Sequence, residues 1–413
     1  MNIFSDNFLN KSDTSNPTIQ PILNKRHISF LAVACALTIS NLYYMQPLLA
    51  TIAQDFGVSE EKIGFLSVLT QIGYACGLLL IAPLGDKYNQ RNIVLFLLVA
   101  VTLSLSSVAL APTLDIVAVA SFFVGFTTVI PQIIIPYTTR LTKENIRGKV
   151  VGVMLSALAI GILLSRTISG IIASIYSWKI MYWIAASSML LLGVFVFFLL
   201  PSDRAPKDTP SYPALIASLW ETVQTESILR EACLFGALMF AAFNSFWVTL
   251  SIYLLTSSYH YSSEITGLFG LTGIFGAIAA PSIGRFADRY NPRYITGLAI
   301  IISLISLVLL WLMNWSLLSF IFGIILLELG IQACQVSNQS RIHKLSQSKR
   351  SRYNTIYMFT YFIGGAAGSL LGTYGWRVAK WNGVCMIIAS LLLLALVWYW
   401  ISSKKIGRTQ WSI

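Results

Sequence analysis

Two ionisable side chains lie deep inside long apolar segments of this 413-residue chain, and they are the residues best suited to chemistry. Glu328 is the only acid in such a position, and Arg166 is the only base. A charge near the middle of a bilayer costs about 2.5–3.5 kcal/mol on insertion scales, so it is retained for a function or with a partner. A carboxylate that gains and loses a proton, an ion pair, and an anion site on the arginine all fit these residue types.

The position of Glu328 along its segment indicates the depth of the carboxylate. If the helix begins near Ser316, Glu328 lies about 18 Å from its start, since an α-helix rises 1.5 Å per residue. This depth is close to the midplane of a bilayer. Two interpretations stay open: an Arg166–Glu328 pair that breaks or exchanges a proton during turnover, and a fixed pair that only holds the protein together.

Three glutamines follow Glu328 on one face of the same predicted helix. Gln332, Gln335 and Gln339 lie at i+4, i+7 and i+11 from the acid, which places all of them on one side. An amide stripe in line with an acid is typical of a cavity wall. Hydrogen bonding between neighbouring helices is the alternative.

A ten-residue charged segment occurs twice. Residues 82–91 (APLGDKYNQR) correspond to residues 284–293 (GRFADRYNPR), 202 positions later, and each copy lies between apolar segments. The repeated acids, Asp86 and Asp288, divide the chain into similar halves. A duplicated charged loop inside a duplicated hydrophobic pattern is typical of a membrane transporter with internal repeats.

The composition places most of the chain in a membrane. It is 56% hydrophobic and 11% charged, with a mean hydropathy of +0.72, whereas soluble domains carry about 25% charged residues. The net charge of +12 is the difference between 28 Lys and Arg and 16 Asp and Glu. If the chain crosses the membrane twelve times from a cytoplasmic N-terminus, 23 of the 28 basic residues fall in loops and tails on the cytoplasmic side. That asymmetry follows the positive-inside rule and argues against nucleic-acid binding. The five cysteines lie in apolar segments without metal-ligand spacing, so we expect neither a metal nor a disulfide framework.

Twelve segments are long enough to span a bilayer, which takes roughly 20 apolar residues each. We therefore predict an all-α polytopic protein with two six-helix halves: an N-terminal tail (1–27), a first half (28–200), a linker (201–230), a second half (231–402) and a C-terminal tail (403–413). Both tails and the linker are expected in the cytoplasm. The predicted spans are 28–50, 63–84, 92–111, 114–137, 150–176, 181–200, 231–255, 265–283, 293–313, 316–340, 355–372 and 382–402. Glycines that recur inside these spans are expected where helices approach closely: Gly73 and Gly77; Gly267, Gly270, Gly273 and Gly276; and Gly364, Gly365, Gly368 and Gly372.

On these features the chain resembles the major facilitator superfamily. The loop after the second helix of that family reads roughly Gly-x-x-x-Asp-Arg/Lys-x-Gly-Arg-Arg, and a weaker copy follows the eighth. Here the second copy matches better, and the first has Ala82 in place of Gly. Both copies have Asn (Asn89 and Asn291) in place of the second Gly; Asn tolerates left-handed backbone, so the turn is expected to be kept.

The resemblance implies roles for two groups of residues. The repeated segments would form a cytoplasmic gate, with residues Asp86, Lys87, Arg91, Gly284, Asp288, Arg289 and Arg293. The first, fourth, seventh and tenth helices line the pathway in the family, which implies a substrate cavity made by Asn41, Tyr44, Gln46, Gln132, Asn244, Trp247, Gln332, Gln335 and Gln339. Pro47, Pro131 and Pro136 are expected to bend their helices.

Shorter stretches look like a bacterial subgroup of drug and metabolite exporters. They include NLYYMQPLL (41–49) and GILLSRTISG (161–170). Two exporter markers are altered: the fourth helix lacks an early Arg, and the fifth has Arg166 where Pro is usual. Antiport is therefore less firmly implied than the superfamily.

We predict a secondary active transporter that works by alternating access around a midplane site. Proton-coupled export of a drug or metabolite, with Glu328 and Arg166 in the coupling step, is the leading interpretation. Proton-coupled uptake by symport is the alternative, and a polytopic membrane enzyme is a distant one, since His27, His260 and His343 are dispersed. The expected partners are a small-molecule substrate, protons and membrane lipids, with no nucleic acid and no cofactor. We expect a monomer in the bacterial inner membrane.

Overall fold

The computed structural model describes residues 23–143, 146–200, 211–256, 263–311, 317–346 and 349–406, without the side chains of residues 60, 61, 86, 281, 288 and 403–406. All regular structure in these ranges is helical. The α-helices are α1 Lys25–Ser40, α2 Leu49–Asp55, α3 Glu60–Ile63, α4 Phe65–Leu80, α5 Gln90–Leu110, α6 Leu114–Thr127, α7 Ile130–Arg140, α8 Arg147–Ile175, α9 Trp178–Leu199, α10 Tyr212–Thr225, α11 Ser227–Thr256, α12 Ser263–Phe269, α13 Gly273–Arg289, α14 Pro292–Trp311, α15 Leu317–His343 and α16 Arg350–Ile406.

These helices form twelve membrane spans, as predicted. Within the described ranges, ten helices are long and apolar enough to cross a membrane. The last reverses direction at Ala379 and Lys380, where Lys380 has φ of 49°, and therefore supplies two spans. A further span comes from α1 and α2 together. The twelve spans are 25–55, 60–80, 90–110, 114–140, 147–175, 178–199, 227–256, 263–289, 292–311, 317–343, 350–378 and 381–406.

An even number of spans places the beginning of span 1 and the end of span 12 on the same side of the membrane. We call this side the terminal face and the other side the opposite face. The loops between spans 2 and 3 and between spans 8 and 9, which contain the repeated segments, lie on the terminal face.

Three spans that approach the centre of the molecule are broken: span 8 at the 3-10 turn Gly270–Thr272, and spans 1 and 4 at a proline. In span 1 the α-helix stops at Ser40 and resumes at Leu49, with Pro47 in the 3-10 turn Gln46–Leu48. In span 4 it is interrupted between α6 and α7, with Pro131 in the first turn of α7. Proline cannot donate a backbone hydrogen bond, so it is compatible with such breaks. The bends predicted at Pro47 and Pro131 are confirmed, whereas Pro136 lies inside α7, which continues through it without a break.

Glycines set the close contacts between helices inside each half. A Cβ atom on Gly73 or Gly77 in span 2 would collide with backbone carbonyls of span 4. In the second half, a Cβ on Gly364 or Gly368 of span 11 would collide with the backbone of span 7. Small residues let helices approach closely in lipid, where the hydrophobic effect does not drive their association. The predicted role of these glycines is confirmed.

The linker between the halves contains a helix that the sequence did not predict. This helix, α10, lies between span 6 and span 7 and carries Trp220, which is 66% exposed. The Tyr212 hydroxyl donates a hydrogen bond of 2.8 Å to the Leu80 carbonyl at the end of span 2. The linker is therefore attached to the first half as well as joined to the second. The predicted domain boundaries stay a prediction, because residues 201–210 lie outside the described ranges.

The two halves meet closely towards the opposite face. A Cβ on Gly170 of span 5 would collide with the Ser263 carbonyl at the beginning of span 8, and the Thr167 hydroxyl donates to the Gly267 carbonyl at 2.9 Å. The hydroxyls of Thr51 and Ser263 are 2.6 Å apart. The chain thus closes the interface between its halves on that side by backbone contact.

The glycine contacts yield a stability prediction. Gly73→Ala should lower the free energy of unfolding by about 1–3 kcal/mol, since the new methyl forces two helix backbones apart. Gly152→Ala is the matched control, because a Cβ at Gly152 of span 5 meets no atom within 4 Å. Thermal unfolding of the purified protein in detergent measures both. Equal midpoints for the two variants would contradict a backbone contact at Gly73.

Candidate transport site between the two halves

The structure brings Arg166 and Glu328 together across the interface between the halves. Arg166 is in span 5 of the first half, Glu328 is in span 10 of the second, and Arg166 Nη1 lies 3.6 Å from Glu328 Oε1. The two side chains are 1% and 8% exposed. The pairing predicted from the sequence is confirmed, and its role in coupling stays a prediction.

Further side chains from both halves surround the arginine. Its Nε donates to Gln46 Oε1 at 2.9 Å, and Gln46 lies in the break of span 1. The guanidinium carbon is 3.9 Å from the ring centroid of Trp247, 5.2 Å from that of Tyr43 and 5.5 Å from that of Phe243. Aromatic faces attract a cation electrostatically, most strongly where water is excluded. The charge on Arg166 is thus balanced by one carboxylate and three rings.

Glycines of span 8 make room for the ion pair. A Cβ at Gly270 would lie 2.8 Å from the Arg166 Cβ, and one at Gly273 would lie 3.4 Å from Glu328 Oε1. The surface that span 8 presents to spans 5 and 10 is therefore almost bare backbone. This explains why several glycines recur in this span.

The site contains polar atoms that are buried and unpaired. Arg166 Nη2, Gln46 Nε2, Trp247 Nε1 and Glu328 Oε1 have no hydrogen-bond partner within the described part of the chain. Trp247 Nε1 faces Glu328 without reaching hydrogen-bond geometry. Buried polar groups are normally paired, because leaving one unpaired costs about 1–3 kcal/mol. Four such atoms lie in this one cluster, so the polar groups of the site do not satisfy one another.

Other predicted cavity residues form two further polar contacts between the halves. Asn244 in span 7 is fully buried and accepts a hydrogen bond of 2.9 Å from Gln71 Nε2 in span 2. Gln132 in span 4 donates to the Tyr74 hydroxyl at 3.3 Å and accepts from Asn354 of span 11 at 3.5 Å. These contacts extend the polar part of the interface beyond the ion pair.

The remaining predicted cavity residues do not join the cluster around Arg166. Asn41 is buried and contacts Met189 Sδ of span 6 at 3.4 Å, so it faces its own half. Tyr44 is buried as well. The glutamine stripe is half-buried: Gln332 packs beside Gly276 of span 8, Gln339 Nε2 lies 3.8 Å from Met358 Sδ of span 11, and Gln335 lies between them along span 10.

Sequence reasoning missed Tyr43 and Gln71. Tyr43 directly precedes Tyr44, which was predicted to line the cavity, but nothing in the sequence indicates that the ring of Tyr43 faces a charge. Gln71 is an amide inside an otherwise apolar span, which is the same signal that identified Gln132. Treating every amide inside an apolar segment as a candidate, and not only those on spans 1, 4, 7 and 10, would have identified Gln71.

The expected left-handed turn in the repeated segments is wrong. Asn89 has φ of −60°, and Lys380 is the only non-glycine residue with positive φ among those described. Instead, Asn89 Oδ1 accepts from the Asn92 backbone N–H at 3.3 Å, and Asn291 Oδ1 accepts from that of Arg293 at 3.0 Å. Each asparagine therefore caps the start of the following span, where free N–H groups need acceptors. The second segment is also more helical than predicted, since α13 continues to Arg289.

The spacing of 202 positions between the two segments also applies to the contacts that their last arginines make. Arg91 lies 5.2 Å from the ring of Phe197 and donates to the Phe197 carbonyl. Arg293 lies 5.2 Å from the ring of Tyr399 and donates to the Tyr399 carbonyl at 3.2 Å. Both members of each pair are separated by 202 positions from their counterparts. Each arginine thus joins the third span of its half to the sixth.

In the second half an acid is added to this contact. Glu231 near the start of span 7 forms an ion pair with Arg293, whose Nη2 lies 2.9 Å from Glu231 Oε1, and a second ion pair with Arg341 at the end of span 10. Arg293 Nη2 further donates to the Ser402 hydroxyl at 2.7 Å. These contacts all stay within one half of the protein.

The other predicted gate residues lie on the terminal face. Lys87 is 5.6 Å from the ring of Tyr88, and Arg289 is exposed. Gly284 has ordinary space beside it, with Val336 the nearest atom to a built Cβ at 3.9 Å. The side chains of Asp86 and Asp288 lie outside the described part of the chain. The gate role of all seven residues stays a prediction.

The described residues contain no cluster of three or more His, Cys, Asp or Glu side chains that could hold a metal ion.

The fold and the buried site define a polytopic membrane transporter with two halves around a central polar cluster. Comparison with known proteins supports this class. The profile of the Major Facilitator Superfamily matches residues 29–369, and the chain belongs to that family.

Named relatives and solved structures cover nearly the whole chain. The "Uncharacterized transporter YgaY" of Escherichia coli O157:H7 is 34% identical over 373 residues, covering 90% of this chain and 94% of the relative. "Probable transporter SCO4007" of Streptomyces coelicolor is 28% identical, with 89% and 85% covered. The fold is similar to a bacterial homologue of the human lysosomal transporter Spinster in an inward-facing conformation, with a TM-score of 0.74, 13% identity, and 93% and 98% covered. The protein is therefore a membrane transporter and not an enzyme.

Stability measurements can test how strongly the two charges depend on each other. Arg166→Gln and Glu328→Gln should each lower the free energy of unfolding by about 3–5 kcal/mol, because each leaves a buried charge without its partner. Glu328→Gln should be the more harmful, since a lone carboxyl can take up a proton whereas a lone guanidinium stays charged. The double variant should be more stable than either single one.

Denaturant unfolding of the four proteins in detergent gives the coupling energy. Additive losses in the double variant would show that the two charges act independently.

Proposed function

We propose that this chain is a proton-coupled secondary transporter that exports a small organic solute by alternating access. The observation that carries the proposal is the buried Arg166–Glu328 pair, because its two charges belong to different halves. When the halves rock about a central site, as in alternating access, the distance between the two spans changes. A carboxylate separated from its arginine in a dry environment gains a strong tendency to take up a proton.

The contacts of Glu328 support a change of protonation state during the cycle. Glu328 Oε1 lies beyond hydrogen-bond distance from Arg166 and has no other partner within the described ranges. An ion pair that served only to hold the halves together would be expected to make short, satisfied hydrogen bonds. A proton on Glu328 and a separated Arg166 is therefore a reachable second state.

The direction and orientation form part of the proposal. Export rests on the resemblance of residues 41–49 and 161–170 to bacterial exporters. The excess of Lys and Arg on the terminal face supports a cytoplasmic location for both chain ends, in the inner membrane of a bacterium. We further propose that the protein acts as a monomer, since each half of the central site comes from the same chain.

The repeated segments have a role in this cycle. The halves meet closely on the opposite face, whereas Arg91 and Arg293 make contacts inside their own halves on the terminal face. We propose that the repeated segments close the terminal face when the molecule opens the other way. The arginines would keep each half intact while Asp86 and Asp288 approach the other half.

A second candidate is proton-coupled uptake by symport, and one observation favours it. Once Glu328 is protonated, Arg166 keeps its positive charge without a counterion within hydrogen-bond distance. An anionic solute could then bind the arginine, so the proton and the solute would move together.

Proton coupling can be measured in liposomes that contain the protein and a pH-sensitive dye. Adding a transported compound to the wild type should move protons against the direction of the compound for export, or with it for symport. Glu328→Gln should abolish the proton movement, and any exchange of the compound that remains at equal pH should carry no protons. Persisting substrate-dependent proton movement in Glu328→Gln would rule out this residue as the proton carrier.

Two further variants keep this test informative. Glu221→Gln makes the same chemical change on the exposed linker helix and should behave as the wild type. The double variant Arg166→Gln/Glu328→Gln removes both charges, so it separates loss of coupling from loss of folding.

A further inference from the structure

We infer that the site takes a zwitterionic solute of the α-amino acid type, whose carboxylate binds Arg166 and whose ammonium binds Glu328. This inference rests on the proposed function and names its substrate class. It starts from the four unpaired buried atoms of the site: Arg166 Nη2, Gln46 Nε2 and Trp247 Nε1, which are donors, and Glu328 Oε1, which is an acceptor.

The donor and acceptor character of the unpaired atoms is complementary to that of a zwitterion. One donor belongs to the arginine and the other two come from side chains beside it, and a carboxylate can accept from all three through its two oxygens. The single acceptor belongs to the carboxylate across the interface, where an ammonium group can donate to it. A plain anion would leave the acceptor unused, and a plain cation would leave the three donors unused.

The charge balance of the site favours the same class. Arg166 and Glu328 neutralise each other at 3.6 Å in a membrane interior, where a net charge costs several kcal/mol. A cation arriving at Glu328 would approach the guanidinium of Arg166, and an anion arriving at Arg166 would approach the carboxylate of Glu328. A zwitterion inserts between the two charges and adds no net charge.

The position of the two charges allows such an insertion. The first half holds Arg166 and Gln46, whereas the second half holds Trp247 and Glu328. Separation of the halves opens the gap between the pair without moving either residue out of its own helix. The rings of Tyr43, Phe243 and Trp247 around the guanidinium then offer apolar contact to the side chain of the solute.

Competition with the proton follows from this arrangement. A proton on Glu328 removes the negative charge that the ammonium needs, so the proton and the zwitterion compete for the site. The titratable groups that face Glu328 are Arg166 of span 5, Tyr43 of span 1 and Tyr361 of span 11. Competition of this kind produces exchange of one ligand for the other, which is antiport.

Binding to the purified full-length protein tests the substrate class without any gradient. The probes are alanine, leucine and phenylalanine, each with its matched amine (ethylamine, isoamylamine, 2-phenylethylamine) and matched acid (propionate, 4-methylpentanoate, 3-phenylpropionate). A ligand that binds the folded state raises the unfolding temperature. At least one amino acid should bind about tenfold or more tightly than both of its matched compounds, since each lacks one charged hydrogen-bonded group. The inference is overturned if no amino acid stabilises the protein, or if an amine or an acid binds as well as its amino acid.

Two tryptophan variants locate the binding. Trp247→Phe keeps an aromatic ring and removes one donor, so the affinity for the best amino acid should fall about tenfold. Trp220→Phe makes the same change on the exposed face of the linker helix and should leave the affinity as in the wild type. Equal affinities in the two variants would remove Trp247 from the site.

The outcome is separable from that of the proton-coupling test. If proton movement depends on Glu328 but is driven only by amines, acids or uncharged compounds, the zwitterionic substrate class is contradicted and the proposed function is supported. If amino acids bind selectively but no protons move, proton coupling is contradicted and the zwitterionic substrate class is supported.

Discussion

A single pair of opposite charges, contributed by the two halves to a dry interface, is the constraint on which the rest of the structure depends. Glu328 can stay ionised in the membrane interior only while a positive charge lies nearby, and the permanent charge of Arg166 is stabilised there only by a negative partner or a substitute for it. Their approach requires the almost bare backbone of span 8, where Gly270 and Gly273 lie against the two side chains. It also requires the break in span 1 that brings Gln46 to the guanidinium. The charge pair, the glycines and the broken helix therefore form one arrangement.

The contacts that hold each half together are repeated in the other half, whereas the charged residues of the central site are not. Arg91 with Phe197 and Arg293 with Tyr399 repeat at a spacing of 202 positions, with the same distance to the ring. The positions that correspond to Arg166 and Glu328 under this spacing are Gly368 and Phe126, neither of which is charged. Two similar halves thus give an interface with unlike chemistry on its two sides. A ligand with two different ends suits such an interface better than a symmetrical one.

The sequence allowed prediction of features that depend on composition and depth. Twelve apolar segments, the close glycine contacts and the pairing of one deep acid with one deep base follow from the energetics of a bilayer, which a sequence displays directly. Contacts that depend on helix rotation were harder to predict. Asn41 was expected in the cavity but faces Met189 of its own half, and Gln71 was overlooked although it bonds to Asn244. The role of Asn89 depended on backbone geometry, since one residue type serves both left-handed turns and helix starts.

Glu231 gives the terminal ends of the two halves different charge contacts. In the second half it joins Arg293 of span 9 to Arg341 of span 10, so three spans are held together by charge at the terminal face. The corresponding position in the first half is Ser29, which is exposed and uncharged. There, Arg91 relies on one ring and one carbonyl. The two similar halves are therefore held together differently at their terminal ends: by a network of ion pairs in the second half, and by one aromatic ring and one backbone carbonyl in the first.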